Sequence, residues 1–346
     1  MIRQGYRERG TGNGGGRARS LFPIPRSLIA LLLACASPEP GGELVRVTIP
    51  PGSGFRAVTD TLAAHGLTGS RLWFRVLARV RGIDRAVKAG VYDLPAGAGA
   101  WVVLDQLQQG KVAMARLTVP EGLTLVELAS LADARLDIPA DSVLAQARDS
   151  GRLRQLAVAA PTLEGYLLPE TYNLPLPVTA DGLVQAMADE FTRRWNPAWD
   201  RRLDSLHMTR AELITLASIV EGEARHDDER ATIAGVYTNR LRRGMLLQAD
   251  PTVQYAVQVA RGERKPRLFF KDLEIDSPYN TYVHAGLPPG PVNSPGLKSI
   301  QAALYPTDVP YLYFVAGPDG HHVFSRTLAE HNHAIMQVRR LAGSAP

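Results

Sequence analysis

Two stretches of the chain, Val47-Thr48-Ile49-Pro50-Pro51-Gly52 and Leu117-Thr118-Val119-Pro120-Glu121-Gly122, lie 70 residues apart and read alike. Each alternates as a half-buried strand does, turns at a Pro-x-Gly and runs into an apolar-periodic helix. Val58 and Leu62 mark the first helix; Leu125, Leu128 and Ala129 mark the second. Strand, turn and short helix therefore recur as a small module. Between the two copies the pattern predicts a helix from about Ser70 to Val80 and a strand over Ala89 to Leu94. A last helix from Trp101 to Gln109 closes on Gly110. These pieces suggest a small α+β region over residues 44–155, with no cluster of titratable residues that reads as catalytic.

The composition then shifts. A chain of 346 residues exceeds one ordinary domain, so a second is expected over 160–342. Leu183 to Arg194 reads as one helix. Thr209-Arg210-Ala211-Glu212 is a capping-box signature opening the next. Arg230 to Arg242 reads as a third, ending at Gly244, and Leu297 to about Leu304 as a fourth. Tyr311 to Val315 and His322 to Ser325 pair naturally as a hairpin around Gly317-Pro318-Asp319-Gly320, before a final helix from about Leu328 to Leu341. The expected fold class is α+β throughout, a small module followed by a mixed, helix-rich domain.

Charge narrows the function. The chain has 39 basic and 34 acidic residues, but the first 34 positions hold Arg3, Arg7, Arg9, Arg17, Arg19 and Arg26 against Glu8 alone. The remainder carries 33 of each sign, which removes the basic surface a nucleic-acid partner would need. The basic start leads into Ser27-Leu28-Ile29-Ala30-Leu31-Leu32-Leu33-Ala34-Cys35. Its apolar run of about ten residues matches a signal-peptide core and falls short of the roughly 20 that span a bilayer. Leu32-Leu33-Ala34 before the only cysteine is a lipobox pattern, so residues 1–35 read as a leader, Cys35 as a lipidation site and 36–43 as a tether. A transmembrane anchor beginning near Leu21 is the alternative, weakened by Pro23, Pro25 and Arg26.

The chemistry concentrates around the run Leu213 to Val220, which ends in Glu221-Gly222-Glu223. Carboxylates rarely end so apolar a stretch without a partner or a task. On a helical wheel Glu223 falls between Leu216 and Ile219, while Glu221 falls beside Ala217 and Ile214. The i,i+2 spacing keeps both from reaching one bond, so they are no paired-carboxylate site. Burial and the negative helix end would push either toward the protonated form, able to donate a proton to a glycosidic oxygen. The bland alternative is a salt bridge from both to Arg225 or Arg230. Downstream, Leu247 to Val253 contains Gln248 and Asp250, with Asp250 a plausible helix cap. Ser277 to Tyr282 contains Tyr279, Asn280 and Tyr282 beside a Pro/Gly-rich loop, as cleft-lining segments often do. His321, His322, His331 and His333 lack the spacing of a zinc site, and no metal or cofactor is expected.

At these residues the chain resembles the endolytic murein transglycosylase (YceG-like) family. The matching segments are Leu163 to Tyr172, Ala217 to Glu223, Val236 to Leu241, Gly244 to Tyr255, Ser277 to Pro291, Pro310 to Ala316 and His322 to Asn332, within about 45–342. The resemblance implies a LysM-like, peptidoglycan-binding module in the first region and a transglycosylase domain in the second. It implies cleavage of the MurNAc-GlcNAc bond inside nascent glycan strands, a 1,6-anhydro end, and one glutamate serving as acid and base. The family's second motif glutamate maps to Glu223, with Glu221 the fallback. Gln248, Asp250, Tyr279, Asn280, Tyr282, Glu164 and Asn239 are the candidate substrate contacts. Ala224 stands where the family commonly has a hydroxyl residue, and the usual transmembrane anchor is replaced by a lipoprotein-like leader. A cell-envelope location outside the cytoplasm follows, with a membrane anchor and the cell-wall synthesis machinery as expected partners. Two other readings remain: a hydrolytic muramidase using Asp250 or Glu164 as second carboxylate, and a non-catalytic peptidoglycan-binding protein.

Overall fold

The computed structural model describes residues 43–343; the leader and Cys35 lie outside them. Among the described residues no helix is long and apolar enough to cross a membrane. The architecture is mixed α+β, with short two-stranded sheets and many helices.

The chain forms two compact units that divide between Lys111 and Val112. The first region expected over 44–155 is thus too long, and 112–155 belongs to the second unit. Strand pairing gives the reason. In the first unit β1 (Leu44–Ile49) and β2 (Gly90–Pro95) pair antiparallel, and α1 (Phe55–Ala64) and α2 (Arg71–Val80) lie between them in sequence. α3 (Ala100–Gln109) follows and stops at Gly110, whose left-handed conformation ends the helix. The second copy of the strand motif, β3 (Met114–Thr118), pairs with the later β4 (Thr171–Pro175), which commits everything between them to the second unit. Both Pro-x-Gly turns place their glycine at positive φ, 75° at Gly52 and 77° at Gly122.

The second unit continues through α4 (Leu125–Leu136), α5 (Ala140–Gln146) and α6 (Ser150–Gln155) before β4, then α7 (Ala180–Arg194) and α8 (Pro197–Leu206). Its axis is α9 (Arg210–Glu223). Thr209 and Glu212 form the expected capping box, the Thr209 amide donating to Glu212 Oε2 at 2.7 Å. Leu213 to Val220 are apolar or small on every face and all are buried. α8, α10 (Arg230–Arg242), α11 (Asp250–Arg261) and α12 (Leu297–Leu304) pack around this helix. Fully burying a Leu or Ile side chain is worth about 1.5–3 kcal/mol, so this axis is a main anchor of the unit. The chain ends in the hairpin β5 (Tyr313–Ala316) and β6 (His322–Ser325), against which α13 (Leu328–Gly343) packs.

Candidate active site

The Glu-Gly-Glu end of α9 splits in two directions. Glu221 has a side chain only 6% exposed, lies 3.1 Å from Arg230 Nη1 and accepts the Gly296 amide at 3.0 Å. Its carboxylate is consumed by packing partners, which is the salt-bridge alternative realised for this glutamate alone. Glu223 is half-buried and lines a cleft of about 410 Å³. Tyr237, one face along α10, donates its hydroxyl to Glu223 Oε1 at 2.8 Å. The Asp250 amide, at the first residue of α11, donates to the same carboxylate.

Gly222 makes that approach possible. A Cβ there would sit 2.6 Å from Pro251, so any larger residue would push the start of α11 away from the end of α9. Burial pushes the Glu223 carboxyl up to about 7, and the nearby Asp250 charge adds to this. The Tyr237 hydroxyl, the Asp250 amide and the Arg240 charge pull the other way and lose. The group is therefore lifted into the neutral range, where it is partly protonated and can both give and take a proton.

The cleft also contains Gln248, Asp250 and Tyr282. The Tyr282 hydroxyl donates to Asp250 Oδ1 at 2.7 Å, and the Gln248 amide donates to Thr281 O at 3.0 Å. Asp250 occupies the first helical turn without a side-chain capping bond; Ala249 holds the cap position, so the capping role expected of Asp250 is not taken. Four expected contacts lie away from the cleft lining. Asn280 is fully buried and spends its amide on Leu273 O and Ile275 O, each at 2.9 Å. Asn239 donates to Val309 O at 2.6 Å and Tyr311 O at 3.1 Å, holding the irregular segment that leads into β5. Tyr279 packs its ring 4.8 Å from Tyr255. Glu164 accepts the Leu125 amide at 3.1 Å, in the first turn of α4, and burial raises it to about 8.

Several lining residues are not among the sequence's candidate contacts: Tyr237, Arg240 and Phe314, with His322 and His331, which the sequence offers only as metal ligands of unsuitable spacing. Arg240 is buried and holds three carbonyls, those of Leu312, Leu246 and Leu247. The signal for Tyr237 and Arg240 was their i,i+3 spacing on α10, which sets them on one helix face. His322 carried no such signal, because a hairpin register and a distant partner define its position. Among the described residues no group of three metal-ligating side chains is assembled.

Comparison with known proteins places these segments in a common frame. The profile of the YceG-like family matches residues 47–337. An endolytic murein transglycosylase of Bacillus subtilis is 35% identical over 306 residues, covering 84% of this chain and 83% of that protein. One of Streptococcus pneumoniae (strain D39) is 33% identical over 301 residues, and the match spans 79% of this chain and 54% of the longer pneumococcal protein. The crystal structure of a yceG-like protein from Listeria monocytogenes superposes with a TM-score of 0.58 at 34% identity, covering 85% of this chain and 99% of the other.

Proposed function

Because this chain belongs to the YceG-like family, we propose that it is an endolytic murein transglycosylase that cuts peptidoglycan glycan strands, with Glu223 as its acid. The observation that carries the reading is a lone half-buried glutamate, raised to about 7, lining an open cleft. Protonated Glu223 gives its proton to the oxygen linking MurNAc to GlcNAc. The muramyl C6 hydroxyl attacks the anomeric carbon, closing a 1,6-anhydro ring without water. The substrate supplies its own nucleophile, so one acid suffices to open the bond, and the carboxylate left behind can receive the hydroxyl proton. Gln248, Asp250 and Tyr282 are the substrate contacts favoured by their place in the same cleft. Preorganisation supports the assignment: an amide, a tyrosine and a buried helix end hold the carboxyl before substrate arrives.

The first unit suits the LysM-like, glycan-binding role, since its order of strand, two helices and antiparallel strand is supportive. Anchoring through Cys35 would hold the enzyme at a membrane on the outer side of the cytoplasmic compartment, beside the machinery that makes nascent strands. The muramidase alternative draws its support from Asp250, a second carboxylate lining the same cleft.

Mass spectrometry of products from purified glycan strands tests the reading. Anhydro-muramyl ends that vanish with Glu223→Gln are expected. Reducing muramyl ends would mean hydrolysis, and binding without cleavage would mean a non-catalytic protein.

A further inference from the structure

Asp250 and Tyr282, joined at 2.7 Å, line the Glu223 cleft and also a second hollow of about 280 Å³, so the two adjoin at this pair. Arg267, Phe269 and Phe270, on the segment that follows α11, wall the second hollow. Phe270 is 91% exposed and Phe269 is 57% exposed. Neighbouring phenyl rings left in water at the mouth of a hollow suit a ligand better than a core.

The segment that carries the rings is firmly built. Asp272 is fully buried and gathers Lys265 Nζ at 2.7 Å, Arg261 Nη1 at 3.5 Å and the Phe269 amide at 3.0 Å. The buried Asn280 amide holds the following residues through Leu273 O and Ile275 O. Asn280 is thus spent on buttressing the segment that bears the rings. Lys265 Nζ and Arg267 Cζ lie 5.9 and 6.0 Å from the Phe269 ring centroid, so cations border the aromatic surface. Lys265 is committed to Asp272, whereas Arg267 is exposed and pairs with no carboxylate among the described residues.

Stiff aromatic faces beside an unpaired guanidinium fit a sugar polymer that carries acids. The C–H face of a pyranose packs flat on a phenyl ring. A guanidinium takes the lactyl carboxylate of a muramyl residue bidentately, once the stem peptide is gone. We propose that Phe269, Phe270 and Arg267 form a distal subsite for the glycan strand, gripping sugars beyond the bond that Glu223 cuts. The proposal rests on the transglycosylase reading of the adjoining cleft and adds a length preference to it. A fragment that ends within the cleft leaves this subsite empty, whereas a long strand fills both. Binding energy gained there is available to orient the scissile bond, so long strands are cut with the higher kcat/KM.

The test uses the full-length chain, long glycan strands stripped of stem peptides, and the shortest fragment that holds one scissile bond. Wild type should favour the long strands. Phe269→Ala combined with Phe270→Ala should remove about tenfold of that advantage and leave cutting of the short fragment unchanged. Phe270→Tyr keeps the ring face and should keep the preference. Arg267→Gln should lower it at low salt and less so at high salt. Equal losses on both lengths, or an unchanged preference in the double variant, overturn the subsite. So does sedimentation with phosphatidylglycerol vesicles that the double variant loses while its cutting of long strands stays intact, since the rings would then be a lipid contact. Strand binding by Glu223→Gln, with and without the two Phe changes, reads the subsite without chemistry: about tenfold weaker binding supports it, and equal binding overturns it. A wild-type chain that cuts neither length would overturn the transglycosylase reading instead.

Discussion

Glu164 and Glu223 sit in surroundings built to one plan. Each carboxylate accepts a main-chain N–H from the first residue of a helix, Leu125 of α4 or Asp250 of α11. Each has a tyrosine hydroxyl bonded to it, Tyr255 or Tyr237. Burial lifts both, Glu164 to about 8 and Glu223 to about 7. They differ in access: Glu223 lines the cleft, whereas Glu164 is 5% exposed, with both oxygens turned to the same amide. A raised carboxyl is thus a product of burial, which in both places outweighs the helix-start amide and the tyrosine hydroxyl that pull the other way. Access to the open cleft is what separates Glu223 from Glu164.

That contrast can be broken most directly by exchanging each carboxyl for an amide. Glu223→Gln should cut the rate by more than about 10²-fold with the fold retained, whereas Glu164→Gln should keep the rate within a factor of a few. Equal losses in a glycan-cleavage assay would erase the distinction. Gly222→Ala comes next, because the added methyl meets Pro251 at 2.6 Å and must displace the start of α11 with its Asp250 amide. A misplacement near 1 Å can cost up to about 10²-fold, and a crystal structure of the variant would show whether α11 has moved. An unshifted helix with full activity would remove Gly222 from the argument.

Tyr237→Phe has a subtler effect. It removes a hydrogen bond that lowers Glu223, so the carboxyl should titrate above its present value of about 7. The alkaline limb of the kcat profile should move to higher pH, and a limb that stays in place would assign that limb to another group. The smallest effect is on stability. A carboxyl raised in the folded state binds more protons there than in the unfolded chain, so its contribution falls as pH rises between about 4.5 and about 7. Glu223→Gln escapes this loss and should gain about 1–3 kcal/mol over wild type above pH ~7, converging with it in acid. Glu164→Gln should gain in the same direction, since its carboxyl is raised as well. Denaturant melts at two pH values read both, and a gain at acid pH would reverse the assigned sign.

Much of this was legible because it is local. The capping box of α9, the span of α10 from Arg230 to Arg242 and the hairpin strand β6 are set by neighbours in sequence. The wheel also separated Glu221 from Glu223, since 200° of helix rotation sends them to different faces. What failed was choosing polar side chains by chemistry alone. On α10 the amide of Asn239 attracted attention, but Tyr237 and Arg240 share the cleft face while Asn239 holds two carbonyls elsewhere. Asn280 failed for a related reason: a buried amide in a turn-rich segment finds its partners among the carbonyls beside it. The division of the chain was misplaced because a strand's own sequence does not reveal its partner, here β4 for β3.

The position of the hairpin along the chain has a consequence for when the cleft is complete. Glu223, Tyr237 and Asp250 are all present by residue 250, yet Phe314 and His322 arrive only with β5 and β6. A chain cut short before residue 313 would keep Glu223, Tyr237 and Asp250 but lack the Phe314 and His322 side of the cleft. The cleft is therefore assembled only in a chain that includes the hairpin, although Glu223 lies about 90 residues before it.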